Sequence, residues 1–158
     1  MGKAIEMAKI TNLLDPTKSV EVEAVIDTGA TMLVLPKDIV EELGLEKIEE
    51  ARVRYADNHV GTKEIYGGVR LELKGRLGIF DVLAENEGSQ PLIGQIILEC
   101  LDLVIEPSTR KIMPNPRSPE MPMVEIFTAT LFNRSESEVR RCDAKPKHED
   151  SRSTNKGL

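Results

Sequence analysis

The chain has 158 residues and a formal net charge of −6, with 40% hydrophobic residues and no tryptophan. That length suits one domain, and an acidic chain without clustered cations argues against nucleic acid as a partner. No apolar run reaches the roughly 18 to 20 residues that a membrane span needs, so no association with a membrane is expected.

Cysteine and histidine are too sparse for a disulfide framework or a metal site. The two cysteines are Cys100 and Cys142, and His59 and His148 stand alone in the sequence. None of them has the spacing of zinc ligands, so we expect neither a metal nor another cofactor. Both thiols are predicted to be free, with Cys100 packed from a helix, which favours a reducing compartment. Residues 1–10 lack the apolar centre of a signal peptide, and a cytoplasmic protein is expected.

Strand and turn patterns dominate the first 115 residues. Apolar residues alternate from Val20 to Ile26, the period of a half-buried strand. From Pro36 to Leu45 the period becomes helical, with Pro36 in the first turn and Gly44 as the terminator. The polar segment from Asp57 to Gly61 predicts a hairpin tip between two strands. Further strands are predicted at 8–12, 33–35, 51–56, 63–67, 69–73, 78–84, 103–105 and 111–113, and a second helix at 95–101.

Composition divides the chain beyond the last predicted strand. Residues 1–116 are predicted to form the folded domain. Prolines then mark an extended connector, and the apolar run from Met123 to Phe127 follows it, so residues 117–133 are predicted to be an extended segment able to supply an interface strand. Residues 134–158 are polar with almost nothing to bury, which predicts a disordered tail.

The segment from Val25 to Ala30 reads Val-Ile-Asp-Thr-Gly-Ala and follows the alternating strand directly. A buried strand therefore delivers the Asp27 carboxylate into a tight turn that glycine permits. The same short string also occurs in phosphatases, in sugar-kinase-like ATPases and in ordinary β-turns, so its meaning depends on context. A second string supplies that context. It is Pro-Leu-Ile-Gly at 91–94, followed by the predicted helix and the strand at 103–105.

Together the two strings resemble the retropepsin-like aspartic proteases over about residues 8–114, and in particular the short prokaryotic aspartyl proteases. In that family the apolar-apolar-Gly strand runs beside the Asp loop, and a flap-like hairpin tip follows about 30 residues after the Asp. The resemblance implies an all-β fold, a retropepsin-like closed β-barrel with two short helices, one barrel per subunit of a homodimer. Asp-Thr-Gly occurs once in this chain, so a second copy would have to supply the second Asp.

The resemblance also implies roles for individual residues. Asp27, Thr28 and Gly29 are expected to be catalytic, with two Asp27 carboxylates activating a water that hydrolyses a peptide bond in a peptide or protein substrate. Thr28 is expected to bond across the dimer axis, and Gly29 to allow close backbone approach. Substrate contacts are expected in the Asp loop, in the hairpin tip and in the second string, at Ala30, Asn58, His59, Val60, Gly61 and Ile93.

Two segments lack obvious partners inside one such barrel. They are the strand around Ala8 to Thr11 and the apolar run from Met123 to Phe127. Because unpaired edge strands tend to seek another chain, we expect both to contact the second subunit.

The chain departs from the retroviral pattern at two positions. Viral members usually place an acidic residue two positions after the motif Gly and an Arg directly after the later Gly, whereas Thr31 and Gln95 stand here. Both charges are absent together, as expected if a neutral hydrogen bond replaces an ion pair.

Two rival functions remain open. One is a non-catalytic module of the same fold for dimerisation or peptide binding, and the intact Asp27 motif argues against it, because a scaffold is more stable without a carboxylate pair. The other is a small phosphatase or nucleotide-binding domain, which would need a Gly-rich phosphate loop and alternating βα units.

Overall fold

The computed structural model describes residues 3–126, which are mostly β-structure with two short helices, as predicted. The strands are β1 (Ala4–Asn12), β2 (Ser19–Ile26), β3 (Leu33–Pro36), β4 (Glu46–Arg54), β5 (Val60–Leu73), β6 (Arg76–Glu85), β7 (Leu92–Ile93), β8 (Leu103–Ile105) and β9 (Ile112–Pro114). The helices are α1 (Lys37–Glu42) and α2 (Gln95–Cys100). Neither helix has the length and apolar character needed to cross a membrane. The predicted tail at 134–158 and the interface segment after Ile126 lie outside the described residues.

Seven strands form one sheet in the order β1-β2-β7-β3-β6-β5-β4, and β1 also pairs with β5. The short strand β7 is parallel to β2 and antiparallel to β3. Strands β8 and β9 form a separate two-stranded sheet. The topology therefore brings the second sequence string between the two strands that flank the Asp27 loop.

The core is aliphatic, as a chain without tryptophan and with few aromatics requires. Burying one large aliphatic side chain stabilises the fold by roughly 1.5 to 3 kcal/mol relative to leaving it in water. The largest that are fully buried include Ile10, Leu33, Leu35, Leu43, Leu71, Leu73, Ile93, Ile97 and Leu101.

Helix α1 lies within the segment predicted to be helical, but it is shorter, and Pro36 is its N-cap rather than part of its first turn. Pro36 caps it in an extended conformation, with φ −66° and ψ 151°. Gly44 adopts a φ of 63° and donates its amide to the Glu41 carbonyl at 2.9 Å. A positive φ is inexpensive for glycine, so the helix ends there.

The hairpin strands are longer than predicted. The runs at 63–67 and 69–73 belong to one strand, β5, and its register with β6 shifts between Tyr66 and Val69. Two glycines lie at this irregularity, and a Cβ on Gly67 would come within 2.1 Å of Ile48 and 2.8 Å of Asp81. Gly67 thus marks a close approach of side chains inside a strand rather than the end of one.

Two expectations about individual positions are wrong. The strand around Ala8 to Thr11 is paired on both sides, because Lys9 faces Glu21 in β2 and Glu72 in β5. Cys100 is exposed at the end of α2 rather than packed against the core. The helix turns Ile97 and Leu98 inward instead, which leaves the thiol on the outer side.

A partly buried polar network around Arg76 and Asp102 holds the chain that follows β9. Arg76, with only 5% of its side chain exposed, donates to the Asp102 carbonyl at 2.8 Å and to the Ser118 carbonyl. The Asp102 carboxylate accepts from Asn115 at 2.8 Å, from the Met123 amide at 3.0 Å and from the Ser118 hydroxyl. The hydrogen bond from Ser118, followed by those from Met123 and Asn115, lowers the pKa of Asp102 to about 2.

Asp102→Asn should lower the free energy of unfolding at neutral pH and weaken its dependence on acid. The pKa of Asp102 is 3.8 in the reference state and about 2 when folded, so its contribution is complete above about pH 4 and is lost as the pH falls towards 2. Urea unfolding at several pH values measures this, with Glu87→Gln, an exposed carboxylate, as the control. If Asp102→Asn and the wild type lost stability equally in acid, the stabilising role of the Asp102 carboxylate would be contradicted.

Candidate active site

Asp27 is placed by the backbone of two adjacent strands. The last residues of β2, from Ala24 to Ile26, are buried, and Asp27 follows directly. The Asp27 amide donates to the Ile93 carbonyl at 3.0 Å, and the Val25 amide donates to the Pro91 carbonyl at 2.9 Å. These bonds fix where the carboxylate leaves the sheet, without using its side-chain oxygens.

The loop then closes on itself around the carboxylate. Asp27 Oδ1 accepts the Gly29 amide at 2.9 Å, and the Asp27 carbonyl accepts the Ala30 amide at 3.0 Å. A Cβ at Gly29 would lie 3.1 Å from Asp27 Oδ1, which is a tight contact. Asp27 and Ala30 are half-buried, whereas Thr28 and Gly29 are exposed. The carboxylate is therefore oriented by the chain and still accessible from outside.

Gly94 lets the second string lie directly against the Asp loop. A Cβ on Gly94 would come within 2.6 Å of the Met32 carbonyl oxygen and 2.7 Å of the Ala30 carbonyl oxygen. The Gln95 amide donates to that same Ala30 carbonyl at 2.8 Å. The expected position of the apolar-apolar-Gly strand, beside the Asp loop, is confirmed.

The neutral replacement expected for the viral ion pair is not made by side chains. Gln95 Nε2 donates to Glu99 at 3.0 Å along the helix rather than to Thr31. The connection runs through the backbone, where the Ile96 amide donates to the Thr31 carbonyl at 3.3 Å. Backbone bonds can make this link because Gly94 brings the two segments so close.

The tip of the β4–β5 hairpin comprises residues 55–59, earlier than predicted. Tyr55 and His59 close it, with the Tyr55 amide donating to the His59 carbonyl at 2.9 Å. Asn58, inside this tip, adopts the left-handed conformation, with φ 65°. Asparagine tolerates this conformation better than most residues do. Val60 and Gly61 instead begin β5.

The residues expected to contact substrate occupy different environments. Asn58, His59 and Val60 are exposed around the tip, and Gly61 is half-buried. Ile93 is completely buried, so its side chain offers no surface to a substrate, and its carbonyl serves to hold Asp27. Within residues 3–126, no hydrogen bond joins the hairpin tip to the Asp loop. The same range contains no group of three or more His, Cys, Asp or Glu side chains that could hold a metal ion.

One cluster beside this hairpin was not predicted. Glu85, at the end of β6, accepts a hydrogen bond from the Tyr55 hydroxyl at 2.9 Å and is ion-paired with Lys63. Glu85 is distant in sequence from both Tyr55 and Lys63, so the pairing register of β5 and β6 is needed to predict that it meets them. That register was hidden by the irregularity at the glycine pair.

Gly94→Ala should destabilise the fold by about 1 to 3 kcal/mol or more, because the added methyl group meets backbone atoms that cannot move aside easily. Gly61→Ala is the matched control, since its Cβ would make only an ordinary contact of 3.7 Å with Tyr55. Chemical unfolding of both variants gives the comparison. If Gly94→Ala were no less stable than Gly61→Ala, the close packing under the Asp loop would be refuted.

The chain matches one family of known proteins. The sequence model of a family described as aspartyl protease matches residues 15–95, just over half of the chain, and includes Asp27, the hairpin tip and Gly94. The solution structure of Simian Foamy Virus (mac) protease matches with 19% identity and a TM-score of 0.44, covering 60% of this chain and 90% of that one. No curated protein matches the sequence. On the family match, and as the resemblance of the two strings predicted, the chain belongs to the aspartyl protease family.

Proposed function

We propose that this protein is an aspartic endopeptidase that hydrolyses peptide bonds in peptides or proteins as a homodimer. The observation that carries the proposal is the Asp27 loop, an intact Asp-Thr-Gly held by backbone bonds from β7 with its carboxylate still accessible. A turn residue would need neither the buried strand that leads into the loop nor the glycine that lies against it.

The dimer follows from the number of carboxylates that the chemistry requires. The sequence holds one Asp-Thr-Gly, so a pair of such loops needs two chains. Thr28 is exposed, and its hydroxyl makes no hydrogen bond to any of the described residues. In the proposed dimer it bonds to the partner's loop across a two-fold axis. Such an interface would be isologous, with the same surface contributed by both copies.

In the proposed mechanism the two Asp27 carboxylates face one another across a water molecule. Two carboxylates close enough to hold one water between them share one proton, because both cannot ionise cheaply. The aspartic protease dyad is the standard example of this coupling. The ionised carboxylate takes a proton from the water as its oxygen attacks the scissile carbonyl carbon. The protonated carboxyl group donates to the carbonyl oxygen, which gives a tetrahedral intermediate. The carboxyl group that took the proton from water then donates it to the amine nitrogen, the other carboxylate takes a proton back from a hydroxyl of the intermediate, and the C–N bond breaks. No covalent bond to the enzyme forms.

The same proposal includes a closed barrel in each subunit. The pairings run β1-β2-β7-β3-β6-β5, and the further pairing of β5 with β1 joins the two ends, which supports closure. In this proposed barrel, the β4–β5 hairpin projects from the barrel. The tip of the hairpin, together with Ala30 of the Asp loop, is the proposed substrate contact.

The proposed division of the chain is a protease domain at 1–116 and an interface segment at 117–133, with the remaining residues as a tail. Exposed apolar side chains support an interface in the described part of that segment. Met121 is 69% exposed, Met123 54% and Val124 79%, and each would gain from burial against a second copy.

Asp27→Asn should abolish peptide hydrolysis and leave the fold and the dimer intact, because the amide cannot act as a general base. Cleavage of a peptide library, followed by mass spectrometry, measures the loss, with circular dichroism and sedimentation as checks on the structure. Asp38→Asn, at an exposed position of α1, is the control and should retain full activity. Unchanged cleavage by Asp27→Asn would remove the reaction from this site.

Mixing wild-type and Asp27→Asn chains tests whether two copies form one site. Random pairing of equal amounts leaves about one quarter of the dimers with two intact carboxylates. The activity should therefore fall to about one quarter of that of an equal total amount of wild-type chains. A fall to only about one half would mean that each chain acts alone. Peptide binding without hydrolysis by the wild type would favour the non-catalytic module.

A further inference from the structure

The β4–β5 hairpin extends beyond the strand that supports it. Strand β5 pairs with β6 as far as Ile65, opposite Leu83. From Glu64 to Val60 its pairing partner among the described residues is β4 alone. An isolated two-stranded ribbon is only marginally stable, so the side chains at its base decide how firmly it is held.

The side chains at the base of the hairpin bind to one carboxylate, that of Glu85. Glu85 stands two residues beyond Leu83 in β6, and Lys63 stands two residues before Ile65 in β5, so the two would be the next pair of the ladder on the same face. Glu85 Oε1 accepts Lys63 Nζ, and the Lys63 amine also donates to Asn86 Oδ1 at 3.1 Å. The side chains of Lys63 and Glu85 are only 18% and 20% exposed. Water and salt therefore screen this ion pair less than a fully exposed one.

Tyr55 carries the attachment to the hairpin tip. Its hydroxyl donates to Glu85 Oε2 at 2.9 Å, and its ring stacks on His59 with centroids 5.0 Å apart. A Cβ at Gly61 would be 3.7 Å from the ring, so the ring lies against the Gly61 backbone. The tip is thus linked to the end of β6 through one aromatic side chain.

The charges at this base are mutually stabilised. The hydrogen bond to Glu85 raises the pKa of Lys63. Partial burial alone would raise the pKa of Glu85, but the hydrogen bonds from Lys63, the Asn86 amide and Tyr55 outweigh it and lower that pKa. The carboxylate therefore remains ionised and bonded at neutral pH.

We propose that Glu85 is a positioning residue that latches the β4–β5 hairpin at its base. Losing the latch loosens the hairpin and leaves the rest of the sheet paired. The effect of this latch on catalysis rests on the proposed function, in which the hairpin tip contacts the bound peptide. Its effect on hairpin motion does not.

Amide hydrogen exchange of Glu85→Gln tests the latch directly. Amides of residues 51–64 should exchange on the order of tenfold faster than in the wild type, while those of β1 and β2 keep their rates. Tyr55→Phe removes one of the two attachments, so its exchange rates for residues 51–64 should lie between those of the wild type and those of Glu85→Gln. Glu50→Gln is the matched control on the same hairpin, because its ion pair with Lys47 is exposed and should matter little. Unchanged exchange in Glu85→Gln, or equal acceleration throughout the sheet, would overturn the latch.

Kinetics test the catalytic consequence. Glu85→Gln should raise KM for a peptide substrate several-fold with a smaller change in kcat, because ordering the hairpin opposes binding. Lys63→Arg keeps the charge and the donors and should retain a KM close to that of the wild type. A fall in kcat at constant KM would overturn this consequence. If the wild type cleaves no peptide, the proposed function fails, and the exchange rates still decide whether the latch exists.

Discussion

The candidate site depends on one short strand, β7, lying between β2 and β3. Its two residues pair with both neighbours, so the chain before and after Asp27 is held against the same backbone. Gly94 is the constraint within this arrangement, because any side chain there would collide with the carbonyl groups of Ala30 and Met32. The hydrogen bond from the Asp27 amide to the Ile93 carbonyl then places the carboxylate.

The Asp loop and the hairpin are held by different kinds of interaction. Backbone bonds from a buried strand fix the loop, and such bonds are costly to break in a dry core. Beyond Ile65, side chains converging on Glu85 attach the hairpin, and water can compete with these bonds. In the proposed enzyme, the fixed loop would supply the carboxylate and the more loosely attached hairpin would contact the peptide.

The sequence predicted much of the fold because its local signals agree with one another. Alternating apolar residues predicted β2, and the helical period with Pro36 and Gly44 predicted α1. The string at 91–94 was correctly expected beside Asp27. The pairing register of strands that are distant in sequence could not be predicted in the same way. The two runs predicted at 63–67 and 69–73 do not show that β5 continues through the glycine pair, nor that Lys63 contacts Glu85. Local pattern also gave no information on which side of α2 would face inward, so Cys100 was placed wrongly. The exposed apolar residues after Ser118 include Met123 and Val124 of the apolar run in the sequence, and the sequence does not show what would cover them.

The central claim is that two Asp27 loops form one site. Calorimetric titration with a statine-containing peptide, which mimics the tetrahedral intermediate, tests it most directly by counting the sites. The account predicts one inhibitor bound per two chains, with binding lost when the protein is diluted below the concentration at which it dimerises. One inhibitor bound per chain, at any protein concentration, would contradict it.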